Sequence, residues 1–190
     1  MIANLGKSRE SRILNLLGAN PREYALVTLH RPSNVDEAGN LSAIMNELRW
    51  LSSRLPVIFP MHPRTQKMLH AHGIDSAGSN FFQIINPVGY HDSLCLTENA
   101  RLVLTDSGGL QEETTYFQTP CLTLRPNTER PVTLTQGTNR LTNLSNLRSD
   151  FTDALERKGN TRRIPPLWDG MTSERCLRAI LAASNSLFRT

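Results

Sequence analysis

The segment Leu102-Val103-Leu104-Thr105-Asp106-Ser107-Gly108-Gly109-Leu110-Gln111-Glu112-Glu113 decides the fold class of this chain. In it a short apolar strand runs into a turn with two glycines and then into residues with helical character. That order directs free backbone N–H groups and the positive end of a helix dipole at one place, as an anion such as a diphosphate requires. Gly108 and Gly109 have no Cβ atom, so a ligand can approach the backbone, and Glu112 and Glu113 can reach nearby hydroxyl groups. The segment therefore predicts a site for a nucleotide or a nucleotide-sugar.

Short apolar runs alternate with helical patterns on both sides of this segment. The apolar runs predict strands at residues 24–29, 56–60, 81–85, 102–105, 120–124 and 139–144. Helices are predicted over residues 7–17, 40–54, 64–72 and 90–99, after the two glycines, after Pro131, and near 149–158 and 172–188. Because the strands are apolar on both faces, they indicate a buried parallel sheet. The sequence therefore predicts an α/β fold, with one doubly wound, Rossmann-like domain over residues 1–190 and a helical tail from about residue 149.

Polar clusters directly follow four of the predicted strands, at residues 30–31, 62–64, 106–109 and 125–130. In open parallel sheets ligands bind beyond the carboxyl ends of the strands, and those ends lie along one edge. The four clusters are therefore expected to converge on a single site.

Ser107 allows two interpretations. Its side chain could cap the following helix. A capping box, however, needs Glu or Gln three residues later, where Leu110 stands, so the first N–H groups of the helix are more available to a ligand. A role as a catalytic nucleophile is not favoured, because the flanking residues do not form a Gly-x-Ser-x-Gly pattern.

The other polar clusters also have alternative interpretations. His30 could bond to loop backbone, or it could contact a phosphate or sugar and transfer a proton near neutral pH. The segment His62-Pro63-Arg64 could begin a helix with proline in its first turn. Glu129 and Arg130 could form a local ion pair after Arg125, which would contribute little if exposed, whereas a guanidinium beside a diphosphate would contribute more.

The composition suits one globular domain or one large lobe of a two-lobe protein. The chain has 190 residues, 38% of them hydrophobic, and a formal net charge of +4. Its basic residues are scattered rather than clustered with aromatic residues, so no nucleic-acid partner is expected. No stretch approaches the roughly 20 apolar residues that a membrane span needs, so no membrane association is expected.

The three cysteines are widely spaced at positions 95, 121 and 176. They form no Cys-x-x-Cys pair, and no Cys/His group has the spacing of zinc ligands. We therefore expect no bound metal and no cofactor. A small, odd number of cysteines is typical of reduced thiols in a cytosolic protein, so a cytoplasmic location is expected.

Four motifs taken together resemble the non-hydrolysing UDP-N-acetylglucosamine 2-epimerase family. They are Val27-Thr28-Leu29-His30-Arg31-Pro32-Ser33-Asn34, His62-Pro63-Arg64-Thr65, the segment from Thr105 to Glu113, and Leu124-Arg125-Pro126-Asn127-Thr128-Glu129-Arg130-Pro131. Their order and spacing match over about residues 1–145. The resemblance implies a two-lobe, GT-B-type fold, of which we expect this chain to be the C-terminal lobe only. It also implies that most of the family's catalytic carboxylates lie in the absent N-terminal lobe.

The resemblance implies a reaction and a set of site residues. The reaction is reversible inversion at C2 of UDP-N-acetylglucosamine, giving UDP-N-acetylmannosamine, by elimination and re-addition of UDP. His30 is implied as the catalytic residue that assists departure of UDP. Substrate contacts are implied for Ser107, Gly108 and Gly109 at the diphosphate, Glu113 at the ribose, Tyr90 near the uracil, and Arg64, Arg125, Glu129 and Arg130.

Two other functions remain open on the sequence. The chain could be the nucleotide-sugar-binding lobe of a GT-B-type glycosyltransferase, or a non-enzymatic nucleotide-sugar-binding subunit. Under the epimerase interpretation, we expect this chain alone to bind UDP without turnover. A homodimer of the full-length protein is compatible with the resemblance.

Overall fold

One wholly parallel sheet forms the centre of the protein. The computed structural model describes residues 1–156 and 163–187, and within these ranges six strands are present. They are β1 (Ala25–Thr28), β2 (Val57–Pro60), β3 (Phe82–Ile85), β4 (Leu102–Thr105), β5 (Cys121–Leu124) and β6 (Asn139–Thr142). Their order across the sheet is β3-β2-β1-β4-β5-β6, so the direction of winding reverses between β1 and β4. The predicted doubly wound, Rossmann-like parallel sheet is confirmed.

Helices connect the strands. After a short 3-10 turn at Ile2–Asn4, they are α1 (Leu5–Arg9), α2 (Ile13–Leu17), α3 (Pro32–Val35), α4 (Ala38–Ser52), α5 (Pro63–Ala71), α6 (Tyr90–Asn99), α7 (Gly108–Phe117), α8 (Pro131–Thr135), α9 (Leu147–Glu156) and α10 (Thr172–Leu187). Each βα connection places the start of a helix at the carboxyl edge of the sheet. Among the described residues, no helix is long and apolar enough to cross a membrane.

The central strand β1 contributes to a core on each face of the sheet. Val27 packs into a core that contains Ile44 and Leu48 of α4. Leu26, which points the opposite way, packs into a second core with Leu96 of α6. All five side chains are at most 1% exposed. Because successive side chains of a strand point to opposite faces, these two cores explain why the strands are apolar at every position.

The prediction of one helix over residues 7–17 is wrong. The chain forms α1 and α2 with a break at residues 10–12. The Ser11 hydroxyl accepts a hydrogen bond from the Ile13 backbone N–H and donates one to Asp92 of α6. A serine that bonds backbone locally competes with helix formation, which accounts for the break. The predicted end at Gly18 is confirmed, since this residue caps α2 with φ of +60°.

Two further differences concern short elements. Residues 32–35 form the four-residue helix α3, where the sequence indicated only a polar cluster. The sixth strand is present but ends at Thr142, two residues before the predicted end. The predicted tail helices correspond to α9 and α10, which are described as far as residues 156 and 187. The predicted ends at 158 and 188 lie outside the described residues.

Candidate functional site

The start of α7 lies at the carboxyl end of β4, in the centre of the sheet. Ser107 is the N-cap residue of α7, in extended conformation, and its side chain makes no capping hydrogen bond. Its backbone N–H instead donates to the Thr105 hydroxyl at 3.0 Å. The first N–H groups of a helix have no intrahelical partner, and here no serine oxygen occupies them. The start of α7 therefore keeps the anion-binding geometry that the sequence predicted.

Asp106, immediately before this turn, is a buried acceptor shared by the loop after β1. Its carboxylate accepts hydrogen bonds from the backbone N–H groups of His30 at 3.0 Å and Arg31 at 2.8 Å. It also accepts one from the Asn34 side-chain amide at 3.0 Å. Asp106 is 0% exposed. These bonds join the end of β1 to the end of β4 and hold His30 beside the start of α7.

The Asp106 carboxylate also orients the His30 ring. His30 Nδ1 lies 2.9 Å from Asp106 Oδ1, and the His30 side chain is 39% exposed. Burial raises the pKa of Asp106, but hydrogen bonds from His30, Arg31 and Asn34 outweigh it, so the pKa lies below its usual range. The ionised carboxylate therefore accepts from Nδ1–H, which leaves Nε2 as the ring nitrogen directed away from it. The His30 ring therefore bonds to a buried acid rather than to loop backbone, and its contact with a phosphate or sugar stays a prediction.

The second histidine cluster lies next to His30. The ring centroids of His30 and His62 are 5.1 Å apart. His62 is the N-cap of α5, because its Nδ1 accepts a hydrogen bond from the Arg64 backbone N–H at 3.1 Å. The Arg64 guanidinium forms a two-point ion pair with Asp36, and both residues line a pocket that does not include the residues at the start of α7. Although two histidines meet here, no group of three or more His, Cys, Asp or Glu that could hold a metal occurs in the described ranges.

Charged residues of the loop after β5 reach the start of α7. Arg125, whose side chain is only 10% exposed, pairs with Glu129 at 2.8 Å. Glu129 also lies 3.4 Å from Arg31 Nη2. A Cβ atom added to Gly108 would lie 2.9 Å from Glu129 Oε1, so this carboxylate lies against the glycine turn. Glu129 therefore forms ion pairs, but its partners are Arg125 and Arg31 rather than Arg130, and they lie at the predicted diphosphate position.

The remaining loop residues are attached to α7. Arg130 Nε lies 2.8 Å from Glu112 Oε1. The buried Gln111 side chain accepts from the Thr128 hydroxyl at 2.5 Å and donates to the Ser107 carbonyl at 3.2 Å. One side chain therefore ties the loop after β5 to the turn that begins α7.

A cavity of about 410 Å³ opens beside the start of α7. It is lined by Met1, Ile2, Tyr90, Gly109, Glu112, Glu113, Tyr116, Trp168, Gly170 and Thr172. The structure therefore brings Tyr90 and Glu113 together with Gly109 on one wall. The predicted nucleoside and diphosphate residues are continuous in space, although the roles assigned to them stay predictions.

Glu113 is the most perturbed acid of this cavity. Burial raises its pKa to about 7, against the lowering effects of the Met1 ammonium group and the Tyr90 hydroxyl, while Glu112 raises it further. Burial also raises the pKa of Tyr90, and the Glu113 charge adds to that rise. A carboxyl group that titrates near neutrality can change its hydrogen bonding to a ligand hydroxyl within the physiological pH range.

Several residues of the site were not assigned by sequence reasoning. Asp106 belongs to the motif, but no role was predicted for it. The sequence carries only part of the signal: Asp106 directly follows a buried strand, but its contact with the loop after β1 requires β1 and β4 to be neighbours in the sheet. No comparable signal exists for Tyr116 and Trp168, which reach the cavity from the third turn of α7 and from the segment before α10.

Comparison with known proteins assigns the chain to a family. A family model described as UDP-N-acetylglucosamine 2-epimerase matches residues 2–181 of the chain. The chain belongs to the UDP-N-acetylglucosamine 2-epimerase family. The epimerase of Methanococcus maripaludis is 46% identical over 123 residues, which are 63% of this chain and 34% of that protein. The epimerase of Methanocaldococcus jannaschii is 41% identical over 165 residues, which are 83% of this chain and 44% of that protein.

A solved structure of this epimerase family shares the fold. The crystal structure of Methanocaldococcus jannaschii UDP-GlcNAc 2-epimerase in complex with UDP-GlcNAc and UDP superposes with a TM-score of 0.81 and 35% sequence identity. The match covers 95% of this chain and 51% of that one. The chain therefore spans about half or less of the length of these epimerases.

Proposed function

We propose that this chain is the UDP-binding lobe of an isomerase that interconverts UDP-N-acetylglucosamine and UDP-N-acetylmannosamine. The observation that carries this proposal is the continuity of two features along one edge of the sheet. The uncapped start of α7 suits a diphosphate, and the adjoining cavity offers Glu113 and Tyr90 to a nucleoside. Crystals of the Methanocaldococcus jannaschii relative contain UDP and UDP-GlcNAc, which supports the same ligand class here.

The proposed chemistry of this lobe is stabilisation of the leaving group. In the elimination step the bond between the sugar C1 and the diphosphate oxygen breaks, and negative charge develops on UDP. The α7 dipole and its N–H groups would stabilise that charge. Asp106 holds the His30 ring through Nδ1, which leaves Nε2 as the ring nitrogen that can donate a proton to the departing diphosphate. The base that removes the C2 proton is proposed to come from the half of the epimerases that this chain does not cover.

Calorimetric titration with UDP tests the binding part of the proposal. We expect saturable heat with UDP, a rise in melting temperature on adding UDP, and no conversion of UDP-N-acetylglucosamine by this chain alone. Absence of both heat and thermal shift would remove the binding claim. Robust epimerisation by the 190-residue chain would instead remove the claim that further groups are needed.

Exchange of the C2 proton separates this function from the alternatives. In deuterated water, an epimerase that contains this lobe incorporates deuterium at C2 of the sugar. A glycosyltransferase would transfer the sugar to an acceptor and leave C2 unlabelled. A non-enzymatic subunit would do neither, and would form a stable complex with another chain in size-exclusion chromatography with light scattering.

Gly109 offers a variant that affects the ligand more than the fold. A Cβ atom added there has only Ser107 Oγ near it, at 3.9 Å, so the Gly109→Ala chain has room for the methyl group. That methyl group would face the proposed diphosphate and weaken one hydrogen bond, which corresponds to about 1 kcal/mol or fivefold in UDP affinity. We expect that loss by calorimetry, with the melting temperature unchanged or slightly higher.

Gly6→Ala is the matched control for this substitution. Gly6 lies within α1, and a Cβ atom there meets nothing within 4 Å. We expect this variant to bind UDP like the wild-type chain. Equal UDP affinities for the Gly109→Ala and wild-type chains would show that no phosphate packs on this glycine.

A further inference from the structure

An acidic side chain occupies the place where the proposed function puts an anion. Glu129 Oε1 lies 2.9 Å from the position of a Cβ atom on Gly108, in the first turn of α7. Ion pairing with Arg125 is the largest of the effects that lower the pKa of Glu129 to about 2. The side chain is therefore a carboxylate near neutral pH. A second anion bound at the start of α7 would lie next to the Glu129 carboxylate.

Arg31 and Arg125, which pair with Glu129, are also restrained by features other than these ion pairs. Arg31 Nε donates to the Asp106 carbonyl at 2.9 Å, which anchors its guanidinium beside the turn. The Arg125 side chain is only 10% exposed. Glu129 itself is 45% exposed and is the part of this group with the most room to move. Two guanidinium groups, one bonded to backbone and one largely buried, therefore share one more exposed carboxylate.

The backbone on both sides of Glu129 is also fixed. Thr128 donates to the buried Gln111 of α7, and the Arg130 N–H donates to the Thr128 hydroxyl at 3.0 Å. Movement of Glu129 can therefore be limited to its side chain, while the loop stays on α7. Rotation of an exposed side chain costs little compared with displacement of a loop.

We propose that Glu129 is a positioning residue that stands in for the diphosphate in the unliganded protein and is displaced by it. Its carboxylate neutralises Arg31 and Arg125 and keeps both guanidinium groups directed at the start of α7. When the diphosphate of UDP binds, the carboxylate rotates away and the two arginines pair with phosphate oxygens instead. This inference rests on the proposed function, because it assumes that a diphosphate binds at α7.

The competing possibility is a direct contact, in which Glu129 accepts a hydrogen bond from the ligand. The two possibilities predict opposite effects of the Glu129 charge on the affinity for UDP. A displaced carboxylate opposes the diphosphate, because like charges a few ångströms apart repel and both compete for the same guanidinium groups. A contacting carboxylate strengthens binding. Removal of the charge without a change of shape therefore decides between them.

The experiment compares UDP and uridine binding to the Glu129→Gln and wild-type chains by calorimetry. We expect the variant to bind UDP roughly fivefold more tightly, as water-screened repulsion between charges about 4 Å apart predicts. Uridine affinity is expected to stay unchanged, because uridine has no phosphate. Glu98→Gln is the matched control: Glu98 also pairs with an arginine, Arg9 at 2.9 Å, but it lies near the end of α6 at the opposite edge of the sheet. Melting curves check that all chains are folded.

Each outcome bears on one proposal. Tighter UDP binding by Glu129→Gln alone, with uridine unaffected, supports displacement. Weaker or equal UDP binding overturns it, even though UDP still binds and the proposed function stands. If neither chain binds UDP or uridine, the proposed function itself fails, and the role given to Glu129 fails with it.

Discussion

Replacement of Asp106 by alanine is expected to lower the free energy of unfolding by about 3 kcal/mol or more. The carboxylate is fully buried and accepts from two backbone N–H groups, the Asn34 amide and the His30 ring. Alanine would leave these donors without an acceptor, and each buried unpaired donor costs about 1–3 kcal/mol. Chemical denaturation with urea measures the loss.

The same substitution is expected to weaken UDP binding, because the loop with His30 and Arg31 loses its attachment to β4. Asp150→Ala is the control. Asp150 is also a buried carboxylate, bonded to the Thr142 hydroxyl at 2.7 Å and to Arg140, but it lies in α9, outside the His30 cluster. We expect the control to lose stability and keep its UDP affinity while folded. If the free energy of unfolding of the Asp106→Ala chain is within about 0.5 kcal/mol of the wild-type value, the role given to this carboxylate is contradicted.

The affinity for uridine is expected to rise about tenfold between pH 6 and pH 8. Glu113 has a pKa raised to about 7, mainly by burial, so it is largely neutral at the lower pH and ionised at the higher one. Only the ionised carboxylate offers all its oxygen lone pairs to ribose hydroxyls. Uridine is the suitable ligand because UDP carries a phosphate that also titrates near pH 6. Calorimetric titration at several pH values in this range measures how the uridine affinity changes with pH.

The uridine affinity of the Glu113→Gln chain is expected not to change over this pH range, because glutamine does not titrate. The pH dependence of folding stability is opposite in direction to that of uridine binding. A carboxyl group whose folded pKa lies above its unfolded value stabilises the fold below about pH 4.3, and this contribution is lost as the pH rises through 7. A wild-type binding profile as flat as that of the Glu113→Gln chain would exclude Glu113 as the group that controls uridine binding.

Most of the fold was predictable because it depends on local patterns. Strands that are apolar on both faces, alternating with helical periods, indicated the parallel sheet, and all six predicted strands are present. The helix over residues 7–17 was predicted wrongly for a physical reason. Its interruption depends on Ser11 bonding to Asp92, which lies 81 positions away in the chain. No local pattern contains that contact.

The site was predictable only in part. The uncapped start of α7 followed from Leu110, which stands where a capping box needs Glu or Gln. The role of Asp106 did not follow, because it requires β1 and β4 to be neighbours in register. The pairing of Arg64 with Asp36 could not be predicted from the sequence either. Asp36 follows α3 and Arg64 lies in α5, so the two residues meet only because these helices pack together.

The sequence by itself determined that a glycine turn follows a buried strand and opens a helix, and it therefore predicted an anion site at that turn. Periodicity and the absence of a Cβ atom are local properties, so they can be read from neighbouring residues. Only the tertiary structure decided what surrounds the turn. It placed Asp106 beneath His30, Glu129 against Gly108, and Glu113 in a wall where burial raises its pKa to about 7. Those placements depend on contacts between distant strands and loops, and desolvation depends on everything that packs around a group.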